Sequence, residues 1–158
     1  MEPVPFQELS PDALEEVLRW RNHPEVRRWM HSGDPIPPET HLAFARKLAD
    51  DPANRYWKVG NLGVIYLNRI DRAAKSGEIG LYANPEEAGT GRGTRLLAIL
   101  LEIAFEELGL ERLRLEVLEE NRRAVALYRK TGFRQISAER GLLTMELGRE
   151  ITRKEDPS

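Results

Sequence analysis

Three glycines at alternate positions, Gly89, Gly91 and Gly93 in "GTGRGT", run directly into an apolar helical pattern with no turn residues between. Leu96, Leu97, Leu100, Leu101, Ala104, Phe105 and Leu108 recur at helical spacing. Gly109 is placed to end that helix in a left-handed cap. A backbone that gives up side chains at a helix mouth admits a close neighbour. The first N–H groups of a helix point outward and carry partial positive charge, which suits a phosphate. Arg92 and Arg95 add charge nearby. Glycines before a helix also serve tight turns, and the residues alone leave both readings open. A P-loop needs a lysine before the last hydroxyl residue, where this segment has Gly93. A dinucleotide fingerprint needs a different glycine spacing, inside a βαβ unit near the N-terminus.

The flanking segments place this feature in an α+β fold. "VPFQEL" reads as a short first strand. Ser10 and Pro11 open a helix over "SPDALEEVLRWRN", with Leu14, Val17, Leu18 and Arg21 on one face. Pro24 restarts a second helix, "PEVRRWM", and "PPETHLAFARKLADD" makes a third. On that third helix Leu42, Phe44, Ala45 and Leu48 are expected on one apolar side. "RYWKV", "LGVIYLNRI" and "GEIGLYA" carry the β-branched and aromatic residues of three consecutive antiparallel strands. Gly60 and Asn61 suit the first hairpin. After the glycine helix, "LERLRLEVLE" alternates strictly, with Leu113, Leu115 and Val117 inward. Asn121 and Gly132 bracket the helix "RRAVALYRKTG", and "FRQIS" and "LLTMEL" read as closing strands. The expected architecture is one mixed, mostly antiparallel sheet flanked by helices. It forms a single domain over residues 1–152 with a polar tail at 153–158.

Composition removes several alternatives. The chain has 158 residues, a length that supports one domain with a full core. A net charge of −2 argues against a general nucleic-acid binder. There is no cysteine, so disulfides, thiolate metal sites and a cysteine nucleophile are excluded. His23, His31 and His41 lack ligand spacing with acids, and no metal is expected. The N-terminus lacks the basic and then apolar run of a signal peptide. No apolar stretch approaches the ~20 residues that span a bilayer. The expectation is a cytoplasmic protein without nucleic-acid or membrane partners. A homodimer is compatible with the closing strands but is not demanded by them.

Asn121, Ala124, Leu127, Tyr128, Lys130, Gly132 and Phe133 form "N-x-x-A-x-x-L-Y-x-K-x-G-F". Together with the strand, glycine loop, helix and strand before it, this resembles the GNAT superfamily of N-acetyltransferases over nearly the whole chain. In the family's Arg/Gln-x-x-Gly-x-Gly/Ala motif, Gly91 and Gly93 match, and Ala88 stands where Arg or Gln is usual. The resemblance implies acetyl-CoA as cosubstrate. Its pyrophosphate would lie against the amides of Gly89, Thr90, Gly91, Arg92, Gly93 and Thr94. Its pantetheine arm would run beside Leu81, Tyr82 and Ala83, where two strands of the fold splay. Asn121 would cap its helix and also bond that arm.

Acetyl transfer to an amine needs a neutral nucleophile. An alkyl ammonium with a pKa near ~10 is about one part in a thousand neutral at pH 7. Glu78, at the start of the central strand, is the candidate base; a solvated strand end is the other reading of it. A strand amide near Gly80 and Leu81 would face the oxyanion. In the family pattern Tyr128 points at the CoA sulfur as general acid; outside it, Tyr128 reads as an amphipathic core residue.

"LRWRNHPEVRRWM" resembles the opening of a GNAT subgroup that acetylates the 4-amino group of a UDP-linked 4-amino-4,6-dideoxy sugar, as do "ETHLAF" and the strands around Lys75. Arg21, Arg27, Arg28 and Lys75 are cations suited to a diphosphate. Asn22 and His41 join the acceptor-side set. Trp20, Trp29 and Tyr82 are flat surfaces for uracil or sugar, although the two tryptophans suit the core better, since large aromatics are usually well buried. Ribosomal-protein N-terminal acetyltransferases share the "R-N" helix, and a polyamine acetyltransferase is a further enzyme alternative. A non-catalytic acyl-CoA-binding module is the alternative of another class.

Overall fold

Alternation of apolar and polar residues along the strands gives one sheet two different faces, and each face carries its own core. In the computed structural model, which describes residues 2–30 and 32–149, seven strands form one sheet in the order β1-β2-β3-β4-β5-β7-β6. They are β1 (Pro3–Pro5), β2 (Arg55–Val59), β3 (Gly63–Asp71), β4 (Ser76–Ala83), β5 (Arg112–Leu118), β6 (Arg134–Glu139) and β7 (Leu142–Gly148). All neighbours are antiparallel except β4 and β5. The helices are α1 (Pro11–Asn22), α2 (Pro24–Arg27), α3 (Pro38–Lys47), α4 (Arg92–Glu102) and α5 (Arg122–Thr131).

On one face Ile65, Leu67, Ile79, Leu113, Leu115, Met145 and Leu147 meet Leu96, Leu97 and Leu100 of α4 and Val125 and Tyr128 of α5. Each fully buried aliphatic side chain there contributes about 2–3 kcal/mol. On the other face Val64 and Tyr82 pack with Phe6, Val17, Trp20, Val26, Ala45 and Leu48 beneath α1, α2 and α3. Tyr56 and Tyr66 lie at the margin of this second core.

Local chemistry sets most element ends as expected. Ser10 Oγ accepts from Ala13 N at 3.2 Å at the start of α1, and Asn121 Oδ1 accepts from Ala124 N at 3.4 Å at the start of α5. Gly132 closes α5 with φ +116°. Four expectations change. The first strand stops at Pro5 and passes into a 3₁₀ turn over Phe6–Glu8, where Phe6 is buried. The second helix is a single turn, Pro24–Arg27. In α3 the inward face is His41 and Ala45, continued by Leu48, while Leu42 and Phe44 are exposed. The core beside α3 is shaped by Phe6, whose ring meets His41 edge-on at 6.0 Å. The glycine helix ends in a π turn, Ile103–Glu107, with Leu108 N donating to Ile103 O at 2.9 Å before Gly109 adopts φ +66°. Residues 150–158, including the expected polar tail, and His31 lie outside the described residues.

Candidate active site

The parallel pair β4 and β5 joins over three residues only. Ser76, Gly77 and Glu78 face Arg112, Leu113 and Arg114. From Ile79 to Ala83, β4 pairs with β3 alone, and from Leu115 to Leu118, β5 pairs with β7 alone. One edge of β4 therefore lacks a ladder partner among the described residues over Ile79, Gly80, Leu81, Tyr82 and Ala83. An extended chain of amides added along such an edge finds main-chain donors and acceptors already aligned.

The open edge leads into the glycine loop. Gly89 has φ +146° and Gly91, the N-cap of α4, has φ +75°. No side chain caps this helix end. The first helical bond runs from Arg95 N to Gly91 O at 3.0 Å, which leaves the N–H groups of Arg92, Gly93 and Thr94 ahead of it. A side chain carbon placed on Gly91 would have no atom within 4 Å, so the approach to these amides is open. A hollow of about 240 Å³ sits here, lined by Asn61, Ala88, Gly89, Thr90, Arg92 and Arg95. Arg92 is partly spent on the loop itself, bonding Asn84 O and, from Nε, Gly89 O at 3.4 Å. Arg19 of α1 holds the same loop from the other face through Glu86, Nη2 to Oε1 at 2.8 Å.

Two tyrosines lie on opposite faces of the sheet. Tyr128 of α5 is buried against Phe133, ring centroids 5.6 Å apart. Burial pushes its phenol up to about 12. Tyr66 comes from β3 on the other face and pairs across the ladder with Gly80. Burial also raises the Tyr66 phenol, with smaller contributions from the neighbouring Tyr56 and Tyr128. Tyr56 stacks on Tyr66 at 4.7 Å and 11°, and Asn68 Nδ2 donates to Tyr56 Oη at 3.2 Å. Tyr56, Tyr66 and Asn68 were not singled out from the sequence. Their alternation with Trp57, Ile65 and Leu67 was visible, but not that their partners across the sheet are Gly80 and Glu78.

Glu78 is the last β4 residue paired with β5. It shares its face with Asn68, Tyr66 and Gly80, because partners directly across a ladder point the same way. Its carboxylate meets Arg69 Nη1 at 3.5 Å. Arg69 adopts φ +52° beside a register shift in β3. Arg114, across from Glu78, is instead engaged by Glu146, Nε to Oε2 at 2.9 Å.

The acceptor-side candidates separate into different roles. Arg21 acts electrostatically on Tyr56, Tyr66 and Tyr82, lowering each phenol against the larger upward effect of burial. Its Nη2 donates to Ser32 O at 3.2 Å, while its Nη1 is enclosed without a hydrogen-bond partner among the described residues. Arg27 is held similarly, with Nη1 on Gly33 O at 3.2 Å and an enclosed Nε without a partner. Arg28 covers the Trp29 ring at 4.4 Å. Asn22 is fully engaged with one backbone unit: Nδ2 donates to Ile36 O at 2.9 Å and Oδ1 accepts from Ile36 N at 2.8 Å. It fastens the segment between α2 and α3. Trp20 is completely buried. His41 is 6% exposed in the second core, and desolvation lowers its pKa. Lys75 sits at the β3–β4 turn with φ +56° and meets Glu111 at 3.9 Å, at the joined end of β4 and β5. His23 Nδ1 caps α2 by accepting from Glu25 N at 3.1 Å. No group of three or more metal-ligating side chains occurs among the described residues. No helix among them is long and apolar enough to cross a membrane.

Comparison with known proteins adds a family. The acetyltransferase (GNAT) domain family matches residues 5–134. Acetyltransferase PseH of Campylobacter jejuni subsp. jejuni serotype O:23/36 (strain 81-176) is 36% identical over 132 residues, 81% of each chain. Spermidine N(1)-acetyltransferase of Escherichia coli (strain K12) is 34% identical over 137 residues, 82% of this chain and 72% of that protein. The crystal structure of Campylobacter jejuni N-acetyltransferase PseH with acetyl coenzyme A matches with TM-score 0.75 at 27% identity, covering 94% of this chain and 98% of that one. Spermidine N-acetyltransferase of Vibrio cholerae with CoA and spermine matches with TM-score 0.81 at 21% identity, covering 92% and 95%, a likeness of fold.

Proposed function

The chain belongs to the acetyltransferase (GNAT) domain family, and from that premise we propose that it transfers acetyl from acetyl-CoA to the 4-amino group of a UDP-linked amino-dideoxy sugar. The glycine loop and the open edge of β4 fit a long cosubstrate with an anionic head. The free amides of Arg92, Gly93 and Thr94 suit the pyrophosphate, and the unpaired edge of Leu81, Tyr82 and Ala83 suits the pantetheine amides. Acetyl-CoA supplies the acetyl group as a thioester. Glu78 takes the proton of the attacking amine, directly or through water. The Tyr128 hydroxyl, kept protonated by burial, donates where the thiolate departs.

The observation that carries the acceptor class is Arg21. It acts electrostatically on Tyr56, Tyr66 and Tyr82, and its Nη1 has no hydrogen-bond partner among the described residues. Leaving such a donor unmet costs about 1–3 kcal/mol, and an anionic oxygen relieves that cost. A polyamine brings positive charge and repels Arg21. The identity to a spermidine N(1)-acetyltransferase nevertheless makes spermidine the second reading.

A panel assay separates them, with released CoA as the signal. UDP-4-amino-4,6-dideoxy sugars are expected to be turned over, and Arg21→Gln is expected to raise their KM about tenfold or more, in line with a lost charge-assisted hydrogen bond. Turnover of spermidine or N-terminal peptides alone removes the sugar-nucleotide reading.

A further inference from the structure

Gly80 carries no side chain because Tyr66 occupies its place. A carbon on Gly80 would lie 2.1 Å from Cζ and 2.3 Å from Oη of Tyr66. The phenol therefore lies flat across the β4 backbone, two residues beyond the point where β4 and β5 part. Tyr56 supports the ring from behind in a parallel stack, and Phe44 supports Tyr56 edge-on at 4.9 Å. Tyr56 is in turn held by Asn68. Two aromatic rings, Tyr56 and Phe44, and the Asn68 amide thus hold the Tyr66 ring in place. It lies on the same face of the sheet as Glu78, and Tyr128 and Arg21 both act on it electrostatically.

We infer that the Tyr66 hydroxyl is a further catalytic contact: its oxygen accepts a hydrogen bond from the acceptor nitrogen and aims that nitrogen at the open edge of β4. The inference rests on the amine-acetylating reading but not on which amine is used. In this role the amine would enter on the face of the sheet that Tyr66 shares with α1 and α3. Held there, its lone pair points toward the β4 edge, and one of its N–H protons lies on the Glu78 side. Burial favours the protonated phenol, which keeps the oxygen a neutral acceptor instead of a competing nucleophile. The two tyrosines thereby divide the work, Tyr66 on the incoming nitrogen and Tyr128 on the departing sulfur. Correct aim of a nucleophile is worth orders of magnitude in rate when the geometry is fixed beforehand.

The test is Tyr66→Phe, which keeps the ring, the stack and the fit over Gly80 while removing one oxygen. It is assayed with the UDP-4-amino-4,6-dideoxy sugar, or with spermidine if wild type turns over spermidine instead. Wild-type turnover establishes the amine-acetylating reading by itself, so its failure is distinct from failure of the inference. The expected result is a kcat lowered about tenfold to a hundredfold, with the acetyl-CoA KM within twofold. A second readout needs no turnover: calorimetric binding of the same amine without acetyl-CoA should weaken at least threefold, with Tm unchanged. Tyr66→Phe with wild-type kcat and wild-type amine affinity overturns the assignment and leaves Tyr66 as packing.

Discussion

Leu127 of α5 lies against Gly93 in the first turn of α4, so that a carbon on Gly93 would stand 3.2 Å from Leu127 Cδ2. The three glycines of the loop are therefore not equivalent. Gly93 lets two helices meet, and Gly91 holds a left-handed backbone at an open helix end. Gly91→Ala is expected to cost about 1–2 kcal/mol in backbone strain. Gly93→Ala is expected to stay within about 1 kcal/mol, because a leucine methyl can yield and alanine favours the helix. Urea unfolding of both variants checks the contrast; an equal loss would show that space and not conformation governs both positions.

Gly80 and Tyr66 should behave as a coupled pair. Gly80→Ala forces the ring aside, with an overpacking cost of about 1–3 kcal/mol. In a Tyr66→Ala background the same substitution has room and should cost much less. A double-mutant cycle measures the coupling, and additive effects would mean that the ring does not fill the space over residue 80.

Tyr128→Phe is expected to lower kcat far more than it raises the acetyl-CoA KM. The pH profile gives the sign independently. A donor acts while protonated, and burial pushes this phenol up to about 12. Activity should therefore not fall through loss of its proton as pH rises past the ordinary tyrosine value near ~10. An alkaline limb near 10 that vanishes in Tyr128→Phe contradicts this.

His41 should make stability pH-dependent. Its folded pKa lies below the ordinary value because desolvation disfavours the charged ring. The unfolded chain therefore binds the proton first as pH falls through about 6.5. Stability should decline below that pH and level off once the folded pKa is passed. His41→Gln should have a shallower dependence between pH 7.5 and 5 in urea unfolding. An unchanged slope would place the acid sensitivity elsewhere.

Much of the fold was legible because burial repeats with local period. Leu113, Leu115 and Val117 alternate inward as read, and Ser10, Asn121 and Gly132 end their helices as read. Each of these depends on residues within one element or one turn. The apolar face of α3 departs from its local pattern for the opposite reason. Phe44 and Leu42 look like core residues from within the helix, yet Phe6, from a distant segment, receives His41 instead.

The same division runs through the site. Sequence alone determined most element types, the glycine helix mouth, the N-x-x-A-x-x-L-Y pattern that marks Tyr128, and hence the family. These are short-range patterns, set by backbone conformation and hydrophobic period. Tertiary structure alone decided that β4 leaves β5 after Glu78, that Tyr66 lies over Gly80, and that the Asn22 amide is consumed by Ile36. Strand register and the pairing of polar groups join residues far apart in the chain, and no local period encodes which partner a side chain will meet.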